Sequence, residues 1–320
     1  MNGSNITPNP HEFIQQSWAD RNGFPGWLMA VGWAIGSFAL FQIVAGIIAV
    51  SILVATGRLD FQNFDQNVLL ENLDVLFIGN TVGQLLFLGL MTLVVTRLSA
   101  PSGHVFSFLR IQTNDETLKN IGLATVLLIV IQPVIYFLSW LNLQYPFSES
   151  YLQFETAQLK LIENYLRSDH LIWLTIFHIG VVPSVCEEVL FRGYILRNLE
   201  RSNTFWGAII VSGLLFGAFH IRFTQFIPLA LLGMLLAWMT IRTRSIWPAI
   251  VAHLVNNGGS VLFAYYLPQI ALNEELRGAM PPLYLVGLSV ILTYFTLSMI
   301  QRVNLQPADG GNHVQRSETG

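Results

Sequence analysis

The chain has 320 residues, of which 53% are hydrophobic and only 11% charged, with a mean hydropathy of +0.54 and a formal net charge of -3. A soluble domain carries about 25% charged residues, so this composition places the chain in the membrane class; the small negative charge argues against a nucleic-acid partner. The one cysteine, Cys186, excludes an intrachain disulfide framework.

In chain order, a polar segment (1–26) precedes a long apolar run. That run has no small-residue cleavage site and is expected to be a retained transmembrane helix, not a signal peptide. Spans are expected at 27–55, 73–97, 119–141, 171–191, 205–221, 226–241, 246–267 and 281–300, each measured against the roughly 20 apolar residues a crossing needs. The fifth and sixth are short and must lean on neighbours. Pro133, Pro183, Pro228 and Pro248 are placed to kink or start helices. Gly213, Gly217 and Gly233 permit close helix approach. Two connecting segments, 58–73 and 147–168, are more than simple loops. The second sets Tyr151, Phe154, Leu159 and Leu161 among charges and reads as an amphipathic interfacial helix. The tail from Pro307 is polar and expected to lack order.

These elements predict an all-α fold: a polytopic membrane bundle of about eight transmembrane helices with an added interfacial amphipathic helix. The expected organisation is a polar cytoplasmic segment (1–26), an N-terminal membrane region of three spans (27–145), a catalytic membrane domain (146–302, core 170–262) and a polar tail (303–320). Basic residues favour cytoplasmic loops. With both termini cytoplasmic, Arg21, Arg97, Arg110, Lys119, Arg192, Arg197, Arg201, Arg242, Arg244, Arg302 and Arg316 fall inside. Arg58, Lys160, Arg167, Arg222 and Arg277 fall outside. The asymmetry supports eight spans with both ends cytoplasmic, and the expected location is the plasma (inner) membrane.

Polar residues interrupt the apolar spans. Glu187, Glu188 and Arg192 lie in CEEVLFRGYI, His220 ends WGAIIVSGLLFGAFH, and His253 and Asn257 interrupt WPAIVAHLVNNGG. An ionisable group near mid-bilayer costs roughly 2.5–3.5 kcal/mol on insertion scales, so it must pair, line a wet cavity or do chemistry. The fourth and fifth spans form a hairpin turning near Arg201–Thr204, where Ser202 or Asn203 is placed to cap the next helix. Glu187 lies about 15 residues before the turn and His220 about 17 after it, so both sit roughly 23–25 Å along their helices, at similar depth. Glu188 and Arg192, spaced i and i+4, can pair, whereas Glu187 points about 100° away and has no partner on its own helix. A carboxylate held away from water is a better base. His253 and Asn257, also i and i+4, can converge on a developing oxyanion; Asn256, about 100° around the helix, is expected to stand apart. His178, about 180° around from Glu187, reads as a satisfied polar group.

These residues carry a resemblance. The sequence is similar to the Abi family, also called CPBP: type II CAAX prenyl endopeptidases and bacterial bacteriocin-processing or self-immunity proteins. Its first motif stands here as Glu187-Glu188-Val189-Leu190-Phe191-Arg192, its second as Phe216-Gly217-Ala218-Phe219-His220, and its third as His253-Leu254-Val255-Asn256-Asn257. The resemblance covers about residues 170–262. It implies intramembrane hydrolysis of a peptide bond in a membrane-associated peptide or protein. By that resemblance Glu187 activates a water, His220 helps position it, His253 and Asn257 stabilise the oxyanion, and Glu188 and Arg192 support the site.

No cofactor is required by this reading, although the family's older naming as metalloproteases keeps zinc open. A zinc ion would take His220, His253 and Glu187. The chain lacks an H-E-x-x-H pair, a G-x-S-x-G elbow and two membrane aspartates, and Cys186 reads as a packing residue. The rival readings are a non-catalytic membrane immunity or scaffold protein, and a transporter, which the missing internal repeats disfavour.

Overall fold

Without water, a backbone in the bilayer must satisfy its polar groups within its own element, which leaves helices and closed barrels. A computed structural model of the chain describes residues 16–59, 68, 71–167 and 172–305, and every regular element among them is helical. The principal helices are α1 (Gly26–Ala55), α2 (Leu73–Ser99), α3 (Thr117–Val130), α4 (Gln132–Leu143) and α5 (Glu149–Arg167). They continue with α6 (Ile172–Glu200), α7 (Phe205–Phe219), α8 (Phe226–Thr243), α9 (Trp247–Tyr266) and α10 (Leu283–Leu305). The expected features of 1–15, 60–67 and the tail beyond 305 lie outside the described residues.

The chain is a multi-pass membrane protein, and among the described residues fewer than eight helices are by themselves long and apolar enough to cross a membrane. Among the described residues, five helices are long and apolar enough to do so: α1, α2, α6, α8 and α10. α3 and α4 qualify together, bent by 45°. The bend has a named cause, since Pro133 lies in the first turn of α4 and cannot continue the hydrogen-bond ladder. The other two expected spans are helices, but α7 has only 15 residues. α9 has 20, and its apolar character is diluted by His253, Asn256 and Asn257. Both lean on buried neighbours, as short or polar spans must.

α6 is the central helix, with 61% of its most apolar window buried, whereas α10 has 17% and turns Leu288, Ile291, Tyr294 and Phe295 outward. One apolar core joins Ala34 and Phe41 of α1, Leu88 of α2, Leu190 and Phe191 of α6, and Phe216 of α7. A second core joins Leu127 of α3, Leu236 of α8, Ala252 of α9 and Ile300 of α10. The N-terminal helices therefore share a core with the helices that carry the polar motifs.

α7 and α8 meet backbone to backbone. A Cβ added at Gly213 would stand 2.7 Å from the Ala230 carbonyl oxygen, and one at Gly233 would stand 2.9 Å from Gly213 Cα. Only glycine allows this approach. The hairpin before α7 turns where the sequence places it, but its cap differs. Thr204, not Ser202 or Asn203, accepts from the Gly207 amide. Ser202 instead accepts from the Trp27 amide of α1 at 3.1 Å, and Asn203 donates to the Leu199 carbonyl at 3.1 Å. Both are occupied by the preceding helix and by α1, so the cap moves to the next hydroxyl.

α5 is the expected amphipathic helix. Its inward side is partly polar: Glu155 is buried, while Leu152 and Phe154 face outward. Glu155 accepts from the Thr224 hydroxyl, and Tyr151 accepts from the Phe223 amide at 2.7 Å. These bonds tie α5 to the turn that follows His220.

Candidate active site

The polar motifs occupy three helices that converge on one point. Glu187, Glu188 and Arg192 lie on α6, His220 closes α7, and His253 and Asn257 lie on α9. α6 widens into π turns at Ile176–Val181 and Val189–Ile195, on either side of the two glutamates. Such turns recur at functional sites because they re-aim side chains without ending the helix.

Glu188 and Arg192 form the expected pair. Arg192 Nη1 donates to Glu188 Oε1 at 2.8 Å, and both side chains are fully buried. Arg192 also donates to the Gly233 carbonyl at 3.2 Å and lies 4.4 Å over the Phe216 ring. Glu188 Oε1 accepts a second bond, from His253 Nδ1 at 2.8 Å.

From this pair a line of hydrogen bonds runs outward with one polarity. An ionised carboxylate only accepts, so His253 Nδ1 carries a proton and its Nε2, in the neutral ring, is a lone pair. Asn257 Nδ2 donates to that Nε2 at 3.1 Å. Asn257 Oδ1 accepts from Asn256 Nδ2 at 3.1 Å, and Asn256 Oδ1 accepts from Gln132 Nε2 at 3.3 Å. Asn256 thus does not stand apart as its helical position suggests: it orients the Asn257 amide. With this orientation the Asn257 donor points at His253 and the Ile179 carbonyl, and turns toward a substrate oxyanion only by exchanging those bonds.

Glu187 has no partner on α6. Its Oε2 is buried without a hydrogen bond, 3.8 Å from His220 Nε2 and 4.0 Å from His253 Nε2. His220 Nδ1 donates to the Phe216 carbonyl at 2.8 Å, which leaves its Nε2 free toward Glu187. These separations are too long for direct hydrogen bonds and within reach of a single bridging water. His178, by contrast, bonds Thr81 through Nδ1 at 2.5 Å, on the side expected for a satisfied polar group. Cys186 is buried beside Gly89 as a packing residue.

A cavity of about 180 Å³ opens onto Glu187 and His220. Its other walls come from Phe38, Phe41 and Gln42 of α1, Gln84 and Leu88 of α2, Gln158 of α5, and the turn after α7. The sequence reading missed these wall residues. Gln84 leaves Oε1 buried without a partner, and the signal that could have found it is an amide inside an apolar span.

Among the described residues no three His, Cys, Asp or Glu side chains are disposed to hold a metal ion. The chemistry of the donors is nonetheless of interest. Both imidazoles are anchored through Nδ1, one to a carboxylate and one to a carbonyl, which is how metal-ligating histidines are usually held.

Comparison with known proteins bears on this region. Residues 168–259 match the family described as Type II CAAX prenyl endopeptidase Rce1-like. A Bacillus subtilis (strain 168) protein named "Putative membrane peptidase YdiL" is 31% identical over 78 residues, covering 24% of this chain and 32% of that protein. The chain thus spans about a third of this relative's length. No solved structure matches significantly.

Proposed function

We propose, for a chain whose residues 168–259 match the family described as Type II CAAX prenyl endopeptidase Rce1-like, that it hydrolyses a peptide bond at the membrane with a glutamate-activated water. The observation that carries this reading is Glu187 itself, a buried carboxylate with an unpartnered oxygen facing two imidazole Nε2 atoms at the wall of a cavity.

The chemistry is a general-base hydrolysis. Glu187 takes a proton from a water held between it and His220, and the hydroxide adds to the carbonyl carbon of the substrate. Asn257 donates to the resulting oxyanion by turning its amide N–H away from His253 Nε2, and His253 donates through an Nε2–H formed by uptake of a proton from solvent as substrate binds. The proton on Glu187 then passes to the leaving amine as the C–N bond breaks, giving a carboxylic acid and a free amine. Glu188 and Arg192 do not touch substrate; they fix the ring of His253. The substrate is a membrane-associated peptide or protein, and the protein sits in the plasma (inner) membrane with both termini cytoplasmic.

The test uses purified wild-type and Glu187→Gln protein in vesicles containing native membrane proteins, with new peptide termini read by mass spectrometry. Termini that appear with wild type and not with Glu187→Gln support the proposal. Identical spectra from both refute it, and would favour a non-catalytic peptide-binding or immunity protein. A second reading rests on the Nδ1 anchoring: His220, His253 and Glu187 would hold zinc, which would supply a polarised water. Elemental analysis separates the two, because one zinc per chain lost in His220→Ala and His253→Ala would establish it.

A further inference from the structure

The end of the bundle where α6 and α8 finish holds a second polar cavity, of about 580 Å³. Four arginines from four elements line it: Arg110 from the segment before α3, Arg197 from α6, Arg242 from α8, and Arg244 from the turn between α8 and α9. Among the described residues Glu200 is the one acidic side chain paired with them. It accepts from Arg110 at 2.8 Å and from Arg197 at 3.0 Å. Neither Arg242 nor Arg244 makes an ion pair among the described residues, so the cluster keeps a large positive excess. Arg110 Nη1 and Arg242 Nε are buried with no hydrogen-bond partner.

Buried donors without partners are costly, and four guanidinium groups around one cavity repel. Yet the walls are fixed. Ile246 donates its amide to the Arg110 carbonyl at 3.0 Å, Asn114 donates to the Thr243 carbonyl at 3.1 Å, and Trp247 Nε1 donates to the Ile111 carbonyl at 2.7 Å. Arg242 lies 4.8 Å over the Phe205 ring, which holds its guanidinium in place. Arg110 and Arg244 each adopt positive φ, 57° and 55°, in the two separate segments that these bonds hold together. The remaining polar walls, Ser107, Gln301 and Asn304, are uncharged.

We propose that this cavity binds a phosphate group, either the headgroup of an anionic phospholipid or free phosphate. Guanidinium forks match phosphate oxygens in pairs. The cavity lies at the ends of apolar helices, the level at which headgroups sit, and basic pockets between transmembrane helices at that level take such lipids. The site is separate from Glu187, so it stands or falls independently of the proposed hydrolysis.

The test measures binding to the purified full-length protein in a zwitterionic detergent, by native mass spectrometry and thermal unfolding. The probes are dioleoylphosphatidylglycerol, dioleoylphosphatidylcholine and inorganic phosphate. Phosphatidylglycerol is expected to bind and raise the unfolding midpoint, with affinity about tenfold or more weaker in Arg242→Gln/Arg244→Gln, since each lost charge-assisted bond is worth about that factor. Inorganic phosphate producing the same arginine-dependent shift identifies free phosphate as the ligand instead. Arg244 is exposed and unpaired by any acid, so Arg244→Gln alone keeps the test clear if the double variant misfolds. Phosphatidylcholine binding as well as phosphatidylglycerol, no binding of either anionic probe, or equal binding by wild type and Arg244→Gln would each overturn the proposal.

Discussion

Glu188→Gln separates the two adjacent glutamates. Glu188 Oε1 serves Arg192 and His253 at once, and Arg192 is fully buried. Removing one member of a buried pair typically costs about 3–5 kcal/mol, because the remaining charge has no counter-ion. Arg192 retains the Gly233 carbonyl and the Phe216 ring, which puts the expected loss near the lower end, about 3 kcal/mol. At about 1.4 kcal/mol per tenfold, the folding equilibrium shifts by roughly 10²-fold. Glu187→Gln removes a buried charge whose Oε2 makes no hydrogen bond, so it should lose much less stability than Glu188→Gln. Adding Arg192→Met to Glu188→Gln should recover part of the loss, since replacing a whole buried pair is milder than breaking it. Reversible unfolding of all four proteins in one detergent provides the comparison. A Glu188→Gln protein as stable as wild type, or a Glu187→Gln protein as weak as Glu188→Gln, would refute this division of labour.

Further expectations concern activity, packing and metal. Glu187→Gln should lower cleavage by about 10²–10⁴-fold, the usual loss for a general base; a fully active, folded variant would remove Glu187 from the mechanism. Asn257→Ala should cost about 10²–10³-fold in kcat, as for one oxyanion donor. Asn256→Ala should cost less, about tenfold, because it loosens the Asn257 amide without removing it; equal losses at both positions would argue against that order. Gly213→Val should destabilise by about 2–4 kcal/mol through collision with Ala230 and Met234, read as a lowered unfolding midpoint. Dialysis against a strong chelator should leave cleavage intact if the glutamate mechanism holds, and recovery of lost activity on adding zinc would assign the zinc reading instead.

The site was legible in the sequence to the extent that its residues violate the rule of apolar spans. Charges and imidazoles in α6, α7 and α9 stand out because they are costly there, and the near-equal path from the hairpin brings Glu187 opposite His220. The walls of the cavity were not legible. Phe38 and Phe41 look like any apolar helix face, and a lone Gln42 or Gln84 is cheap enough to pass for tolerated polarity; only the packing of α1 and α2 on α6 turns them toward Glu187. The break between α3 and α4 follows from Pro133, whereas the choice of Thr204 over its neighbours depends on α1, a contact with Ser202 across 175 residues of sequence. Asn256 was misjudged for a similar reason. Helical angle describes where a Cβ points, but a flexible amide can still reach its neighbour in sequence.

The π turns give the chain an uneven tolerance of inserted and deleted residues. A π turn holds one residue more than the α turn it replaces, so each of Leu85–Leu90, Ile176–Val181 and Val189–Ile195 is equivalent to a single-residue insertion absorbed inside a helix. Deleting one residue from Val189–Ile195 would relax that turn to ordinary α geometry and keep the residues beyond it in register, whereas deleting one from an α turn of the same helix would rotate everything beyond it by about 100°. In that second case Leu196 and Leu199 would leave the core, and the Asn198 backbone would swing away from Gly26, which it closely approaches. A length change in the Arg201–Asn203 turn, by contrast, meets solvent. Homologous chains should therefore vary in length at that turn, and one that is a residue shorter between Glu187 and Leu199 should have an α turn in place of the π turn.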